Sequence, residues 1–228
     1  MRRTFSRSLA SLVAVSFFLL LSGCSEVYTT SRRSNEEGMR LYSEKMYNEA
    51  AGSFRDAVKQ DPRDYNSQFY LGVCYDEFKQ HQSAFQQYKI ALELMDTLPW
   101  ARHDDDFRQI LLDTYASAVA RYDDREGELN AIEKRARENP TANNWFLLAK
   151  CHRLRGDADN AIISYRKAAL TDTWDFNIRK EAGLYLLDPL GQRQEATYYL
   201  LQAHRLNPND LAVNTGLTRL GVTPLPAY

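Results

Sequence analysis

Two short clusters in this sequence carry residue types that could bind a metal ion. Residues 103–106 (His-Asp-Asp-Asp) place three carboxylates beside an imidazole, and hard cations prefer several oxygen ligands. The same acidic residues come just before Phe107, where they would cap a helix and favour its positive end. The Cys-His pair at 151–152 lies in a helical pattern, so the two side chains diverge, and no second such pair completes a zinc site. Helix capping is the favoured interpretation, and we expect no metal or cofactor.

Catalytic motifs are missing from the sequence. It contains no nucleophile motif, no phosphate-binding loop and no glycine-rich nucleotide fingerprint. We therefore predict that the protein is not an enzyme, and we name no catalytic residue. The alternative of an enzyme or enzyme subunit with its site in the segment 97–106 stays open.

Cys24 is a third candidate for chemistry because of the segment that precedes it. Arg2, Arg3 and Arg7 form a basic start, residues 8–21 are uncharged and mostly apolar, and Leu-Ser-Gly leads into Cys24. The apolar run is shorter than the roughly 20 residues that a transmembrane helix needs. This order of features resembles a bacterial lipoprotein signal. The resemblance implies that the chain is cut before Cys24 and that the Cys24 thiol and the new amine are acylated.

The lipoprotein resemblance divides the N-terminal part of the chain and implies a location. Residues 1–23 would be the signal peptide, and residues 24–34 the lipidated N-terminus with a polar tether. Two or more acyl chains anchor a protein stably, since each buried CH₂ contributes about 0.8 kcal/mol. Ser25, by its likeness to enterobacterial sorting signals, points to the periplasmic face of the outer membrane. An ordinary secretory signal or a short signal anchor that happens to end in cysteine is the alternative.

Charge and cysteine content exclude other classes of protein. The chain has 29 Lys and Arg and 30 Asp and Glu; the signal holds three of the basic residues, which leaves 26 against 30. This balance gives no basic surface for nucleic acid. Cys74 and Cys151 both lie in apolar helical patterns, so we predict two separate buried thiols rather than a disulfide-stapled domain.

From residue 31 onward the sequence repeats itself with a period of 34 or 35 residues. Small residues at recurring positions allow two helices to approach closely, and an aromatic or large residue between them fills the space that remains. Asx-Pro dipeptides at 61–62, 139–140 and 207–208 end the second helix of a pair, because the residue before proline avoids the α region. The recurring positions are Ala50, Phe54 and Ala57; Ala84, Tyr88 and Ala91; Ala161, Tyr165 and Ala168; and Ala196, Leu200 and Ala203.

This period and these small and aromatic positions resemble the tetratricopeptide repeat, a helix–turn–helix unit. The resemblance implies an all-α tetratricopeptide-repeat solenoid of about five repeats, wound as a right-handed superhelix, over residues 35–219. The third repeat is degenerate, because Glu128 stands where the others have alanine, and an insertion near 97–106 precedes it. Residues 211–219 would form a last helix that covers the end of the stack, and 220–228 a tail. The repeats are predicted at 31–64, 65–98, 107–141, 142–176 and 177–210.

The repeat resemblance also implies a binding surface. Members of the family bind protein partners on the concave face made by the first helix of each repeat, and a mixture of aromatic and charged groups there suits an extended peptide or a partner helix. Packing between helices is the alternative for each of these residues. The partner-binding residues predicted in this way are Tyr42, Phe69, Asp76, Phe146, Lys150 and Arg153.

Together, these features predict a membrane-anchored periplasmic scaffold that binds other proteins in assembly or biogenesis of the bacterial cell envelope. The lipid on Cys24 would hold it at the membrane, and the concave groove would hold its protein partner. A passive architectural spacer without a specific ligand is a further alternative.

Overall fold

The computed structural model describes residues 30–101, 104–122, 127–188 and 190–223, and in these residues the fold is entirely α-helical. The described part of the first helix, α1, covers residues 30–43. The chain forms two compact units, residues 1–103 and 104–228. The other helices are α2 (Tyr47–Gln60), α3 (Tyr65–Glu77), α4 (His81–Thr97), α5 (Asp105–Tyr122), α6 (Gly127–Glu138), α7 (Ala142–Leu154), α8 (Ala158–Thr171), α9 (Phe176–Leu187), α10 (Arg193–Leu206) and α11 (Leu211–Arg219).

Consecutive helices pack as pairs: α3 with α4 in the first unit, and α7 with α8 and α9 with α10 in the second. The fold-class prediction of an all-α protein made of tetratricopeptide-type helix pairs is therefore confirmed. The direction of a superhelix through the whole chain stays a prediction, because each unit is described on its own.

The helix ends follow from local sequence. Helices α2, α6 and α10 end one residue before the Asx-Pro dipeptides, as predicted. The Asp64 carboxylate accepts the Ser67 N–H at 3.0 Å and caps α3. Gly156 adopts a φ of 77° between α7 and α8, a conformation that other residues rarely take, and Asp157 then caps α8.

A small residue on the first helix meets a large residue on the second in three of the pairs. A Cβ atom on Gly72 would lie 2.8 Å from a ring carbon of Tyr88, which is fully buried. Gly183 stands in the same relation to Leu200, with 2.7 Å to its Cγ atom. A Cβ atom on Gly38 of α1 would likewise lie 2.6 Å from a ring carbon of Phe54. The predicted close approach of paired helices is therefore present, and Gly183 is a member that the sequence pattern did not single out.

The third pair is packed differently. Tyr115 of α5 is fully buried and donates its hydroxyl hydrogen to the Glu128 carboxylate of α6. Arg135 donates to the same hydroxyl oxygen at 3.4 Å and lies 3.9 Å from the Glu128 carboxylate. Glu128 thus occupies a packing position, as its place in the repeat predicted, and a polar contact replaces the usual alanine contact.

Several boundaries differ from the sequence prediction. Helix α1 already covers residues 30–34, which were assigned to the tether, and the buried Ser31 hydroxyl donates to the Ala57 carbonyl at 3.2 Å. Helix α5 begins at Asp105 rather than Phe107, while α11 spans the predicted 211–219. Cys74 and Cys151 are buried free thiols, as predicted.

The predicted signal peptide, Cys24, Ser25 and residues 224–228 of the tail lie outside the described residues. Within the part of the chain that the structure describes, no helix is both long enough and apolar enough to cross a membrane.

Candidate partner-binding site

The first helices of the three pairs in the second unit bring opposite charges together. Lys150 of α7 is fully buried, and its Nζ donates to Asp113 Oδ1 of α5 at 2.7 Å and to Glu181 Oε1 of α9 at 2.5 Å. We call the surface formed by α5, α7 and α9 the first-helix face. One buried cation therefore connects three successive first helices on this face.

Two further groups complete the surroundings of Glu181. Arg153 Nη1 lies 3.3 Å from Glu181 Oε2, and the Tyr165 hydroxyl donates to the same oxygen at 3.4 Å. Burial together with the Glu181 charge raises the pKa of Tyr165 well above its usual value. The Phe146 ring lies 4.5 Å from Lys150 Nζ, which adds a cation–π contact. A buried ammonium is stable only when such partners offset its desolvation, and here two carboxylates and an aromatic ring do so.

The predicted site residues of the second unit fall into two groups: buried residues, which form the floor of the first-helix face, and partly exposed residues, which form its rim. Phe146 is fully buried against the Tyr165 ring, at 6.0 Å between ring centres, and Lys150 is buried beside it. Neither side chain offers surface to a partner in this structure, and for both the packing alternative describes what is seen. Arg153 retains 31% of its side-chain exposure and Asp113 retains 55%. Partner contact at Arg153 stays a prediction, and Asp113 joins it on the rim.

The predicted residues of the first unit divide in a similar way. Phe69 is buried and packs against the rings of Tyr70 and Tyr88, with centroids at 5.0 and 5.8 Å. Tyr42 is half-buried and meets Tyr70 edge-on at 5.4 Å. Burial is also the main reason why the pKa of Tyr42 is raised. Phe69 therefore supports the helix packing, and Tyr42 presents part of its ring.

Asp76 and two asparagines add polar groups to the first helices of the first unit. Asp76 Oδ1 lies 2.9 Å from His81 Nδ1, so the side chain joins the end of α3 to the start of α4. The Asn35 side-chain amide donates to Asn66 Oδ1 at 3.0 Å and to Ser67 Oγ at 2.7 Å, which joins α1 to α3. Whether Asp76 contacts a partner stays a prediction.

Asp104 caps α5, and Asp105 lies in the first turn of this helix. Asp104 Oδ1 accepts the Phe107 N–H at 3.3 Å, and the Asp105 carboxylate pairs with Arg108 Nη1 at 2.8 Å. In the described residues, no group of three or more His, Cys, Asp or Glu side chains is arranged to hold a metal ion. The contacts of Asp104 and Asp105 agree with the capping interpretation; residues 102–103 lie outside the described part.

The comparisons with known proteins agree with this helix-pair architecture. Residues 36–98 match the family model described as "Tetratricopeptide repeat". This segment of the chain is therefore similar to tetratricopeptide repeats. The matched residues cover most of the first predicted repeat and the whole of the second. No curated protein matches the chain.

Three solved structures resemble the chain in part. The thermophilic TPR protein TTC0263 of Thermus thermophilus is 22% identical, with 83% of this chain and 98% of that one covered and a TM-score of 0.49. YrrB, described as a TPR protein with an unusual peptide-binding site, is 14% identical, with 87% and 97% covered and a TM-score of 0.44. MamA 41-end from Desulfovibrio magneticus RS-1 is 12% identical, with 80% and 97% covered and a TM-score of 0.45.

The sequence analysis missed the two carboxylates that hold Lys150, and it missed an exposed apolar cluster formed by α8, α10 and the turn after α8. Asp113 and Glu181 lie 37 and 31 residues from Lys150, so no local pattern connects them. Trp174 does have a local signal, since a tryptophan in the polar run Thr-Asp-Thr-Trp-Asp is out of place in a turn unless it packs or binds.

Proposed function

We propose that the protein is a lipid-anchored scaffold of the bacterial cell envelope that holds a segment of another protein on the first-helix faces of its helix pairs. The observation that carries the proposal is the buried Lys150 between Asp113 and Glu181. A buried ion pair is seldom the most stable solution, since apolar residues of similar volume stabilise a core as well or better. Stability alone therefore does not explain why Lys150 is buried between these two carboxylates. Binding of a partner to the charges on the first-helix face explains it better.

The rim charges indicate the chemistry of the partner. Arg153 and Asp113 are of opposite sign and partly exposed, and the buried groups beneath them restrain their helices. Complementary charges across an interface favour the correct partner and increase the rate of association more than they increase affinity. The proposed partner is therefore an extended segment that carries both acidic and basic side chains, rather than a purely apolar helix.

The groove proposal is tested by affinity capture from native envelopes, followed by variants against the captured protein. We expect Arg153→Ala to weaken capture of the partner with little change in thermal melting, because this side chain is partly exposed. Asp113→Ala should also weaken capture, but it should lower the melting temperature as well, because it removes one of the two carboxylates that pair with the buried Lys150. Arg137→Ala, on the second helix α6, is the matched control and should retain the partner. Equal capture by all three variants would move the binding site away from the first-helix face.

Variants of the buried aromatic residues need a different interpretation. Phe69→Ala and Phe146→Ala remove side chains that are enclosed by other rings, so each should cost about 3–5 kcal/mol of stability whether or not a partner binds nearby. Loss of capture by these two variants is informative only where melting is unchanged.

The anchor is proposed from the sequence preceding Cys24. Cys24→Ala should release the protein from membranes or leave its signal uncut, whereas Cys74→Ala should leave both processing and membrane association unchanged. If Cys24→Ala is processed and still fractionates with membranes, the protein is held there by something other than lipid. The outer-membrane assignment from Ser25 is checked on the parent by density separation of inner and outer membranes. Failure of the anchor test would leave the groove proposal standing.

A further inference from the structure

A cleft between the second helices α8 and α10 exposes three large apolar side chains together. The cleft has a volume of about 470 Å³. Leu170, Trp174 and Tyr198 line it with 78%, 79% and 59% of their surfaces exposed, and Tyr199 and Ala169 lie deeper. Isolated exposed apolar residues are normal on protein surfaces, but a contiguous cluster that lines a concavity is typical of a binding site.

The wall of this cleft is held in place by a buried arginine. Arg179 of α9 is almost fully buried, and its Nε donates to Gln202 Oε1 of α10 at 2.8 Å. Its Nη1 donates to the Asp172 carbonyl at 2.9 Å, and its Nη2 donates to the Ala169 carbonyl of α8 at 3.3 Å. One planar guanidinium therefore fixes the end of α8 against both following helices, and the cleft exists before any ligand arrives.

The turn that carries Trp174 is also fixed. The Asp172 carboxylate accepts the Trp174 N–H at 2.8 Å, and the Asp175 carboxylate accepts the Ile178 N–H at 2.9 Å and caps α9. Trp174 is therefore held at the surface between two ordered helix ends. Tryptophan is enriched at interface hot spots, so an exposed tryptophan on a fixed turn is well placed to contact a partner.

The charges that line the cleft are mostly positive. Arg166 forms a two-pronged pair with Glu195, at 2.7 and 2.6 Å, and the two charges compensate each other. Arg179 and Arg205 complete the set of charged lining residues, so three arginines stand against one glutamate. Arg205 lies in the last turn of α10 and is exposed. A ligand with acidic groups is therefore favoured at the α10 end of the cleft.

We infer that this cleft binds a protein segment in which an aromatic or long aliphatic residue is followed closely by acidic residues. The apolar anchor would lie between Trp174, Leu170 and Tyr198, and a carboxylate would pair with Arg205. The exposed surface of the cleft comes from α8, α10 and the turn that carries Trp174, and none of the rim residues of the first-helix face lines it, so it provides a second docking site. A concave site of this volume suits one or two side chains.

The test uses a phage-displayed library of random dodecapeptides, selected on the parent protein. We expect the enriched peptides to share an aromatic residue or leucine followed by Asp or Glu. Binding of one fluorescein-labelled selected peptide is then measured by anisotropy. Trp174→Ala should weaken it at least tenfold, Tyr198→Ala about fivefold and Arg205→Gln about threefold, which are hot-spot and rim-charge effects respectively.

Two matched controls distinguish binding in the cleft from non-specific binding to exposed tryptophan or arginine residues. Trp100→Ala removes another exposed tryptophan, and Arg55→Gln removes another exposed arginine, both in the first unit. Neither should change peptide binding, and the melting temperatures of all five variants should match that of the parent.

Three results would overturn the inference. Selected peptides without acidic residues would remove the charge argument, and unchanged binding by Trp174→Ala and Tyr198→Ala would move the site elsewhere. The third is a failure to select any peptide while vesicles of 70% phosphatidylethanolamine and 30% phosphatidylglycerol bind the parent and not Trp174→Ala. That outcome would identify the cluster as a membrane-contact surface.

Discussion

Two helix pairs in the second unit, α7–α8 and α5–α6, pack together through different kinds of residue. In α7 and α8, Ala149 and Ala161 are fully buried, and the two helices approach through small side chains. In α5 and α6, the contact is made by Tyr115, Glu128 and Arg135, whose polar atoms meet each other. The comparison shows that the small-residue contact of this repeat can be replaced by larger polar groups when those groups partner one another.

The polar groups between α5 and α6 do not all find partners. Among the described residues, the buried Arg135 Nη1 has no hydrogen-bond partner, whereas its Nη2 reaches the Tyr115 hydroxyl. A buried donor that lacks a partner costs about 1–3 kcal/mol. We therefore expect the α5–α6 contact to contribute less to stability than the α7–α8 contact, and the following changes test this difference.

The largest effect should come from giving the alanine-packed pair the charged residue of the polar pair. Ala161→Glu would bury a carboxylate at a fully enclosed position, and we expect a loss of about 4 kcal/mol or more. Ile163→Glu on the same helix is the control, because Ile163 is half-exposed and its replacement reaches water. Urea unfolding measures both. A loss below about 1 kcal/mol for Ala161→Glu would mean that the two pairs tolerate charge equally.

The second test replaces the charged residues between α5 and α6 one at a time. Arg135→Met should cost about 3 kcal/mol, because it leaves the largely buried Glu128 without its cation. Adding Glu128→Leu should recover most of that loss, since apolar residues often replace a buried ion pair without penalty. Urea unfolding of both single variants and the double variant gives the coupling free energy. A double variant as unstable as the sum of its singles would show that the charges are not coupled.

A third comparison concerns glycines. Gly183→Ala should destabilise by about 2 kcal/mol, because the new Cβ would lie 2.7 Å from Leu200 Cγ and force the helices apart. Gly52→Ala is the matched control in α2, where a new Cβ meets no atom within 4 Å. That change should instead stabilise by about 0.5–1 kcal/mol through helix propensity. Thermal melting compares the two; equal effects would mean that Gly183 is not at a close helix contact.

The smallest effect is a dependence on alkaline pH. Burial and the Glu128 charge raise the pKa of Tyr115 well above its usual 10. The unfolded chain therefore loses this proton first, and the stability that the group contributes falls as the pH rises above about 10. Tyr115→Phe should reduce the slope of stability against pH there by up to about 1.4 kcal/mol per pH unit. Urea unfolding between about pH 9 and 11 measures the slope, and an unchanged slope would contradict the assignment.

Much of the fold could be predicted because its signals are local. The Asx-Pro helix ends, the buried Ala84 and Ala161, and the terminal helix at 211–219 all depend on residues within one helical turn or on the repeat period. The start of α1 was misplaced, because its anchor is a hydrogen bond from Ser31 to a carbonyl 26 residues away.

The candidate site was less predictable. A lysine on a first helix has the same sequence signature whether it faces solvent or lies between two carboxylates, so Lys150 was predicted as a contact residue and is found as a floor residue. Its burial depends on Asp113 and Glu181, which come from other repeats. The exposure of Trp174 likewise depends on how α8, α9 and α10 meet, and a single repeat does not encode that geometry.

Arg179 has a consequence for how the second unit opens. Its guanidinium donates hydrogen bonds to carbonyl groups at the end of α8. Without it, these carbonyl groups would accept hydrogen bonds from water. The last turn of α8 can therefore fray only if α9 gives up these bonds as well. Local opening at this junction should be cooperative across helix boundaries, so backbone amides near Ala169 and near Arg179 should exchange their hydrogens at similar rates. The Arg179 side chain thereby couples the opening of α8 to that of α9.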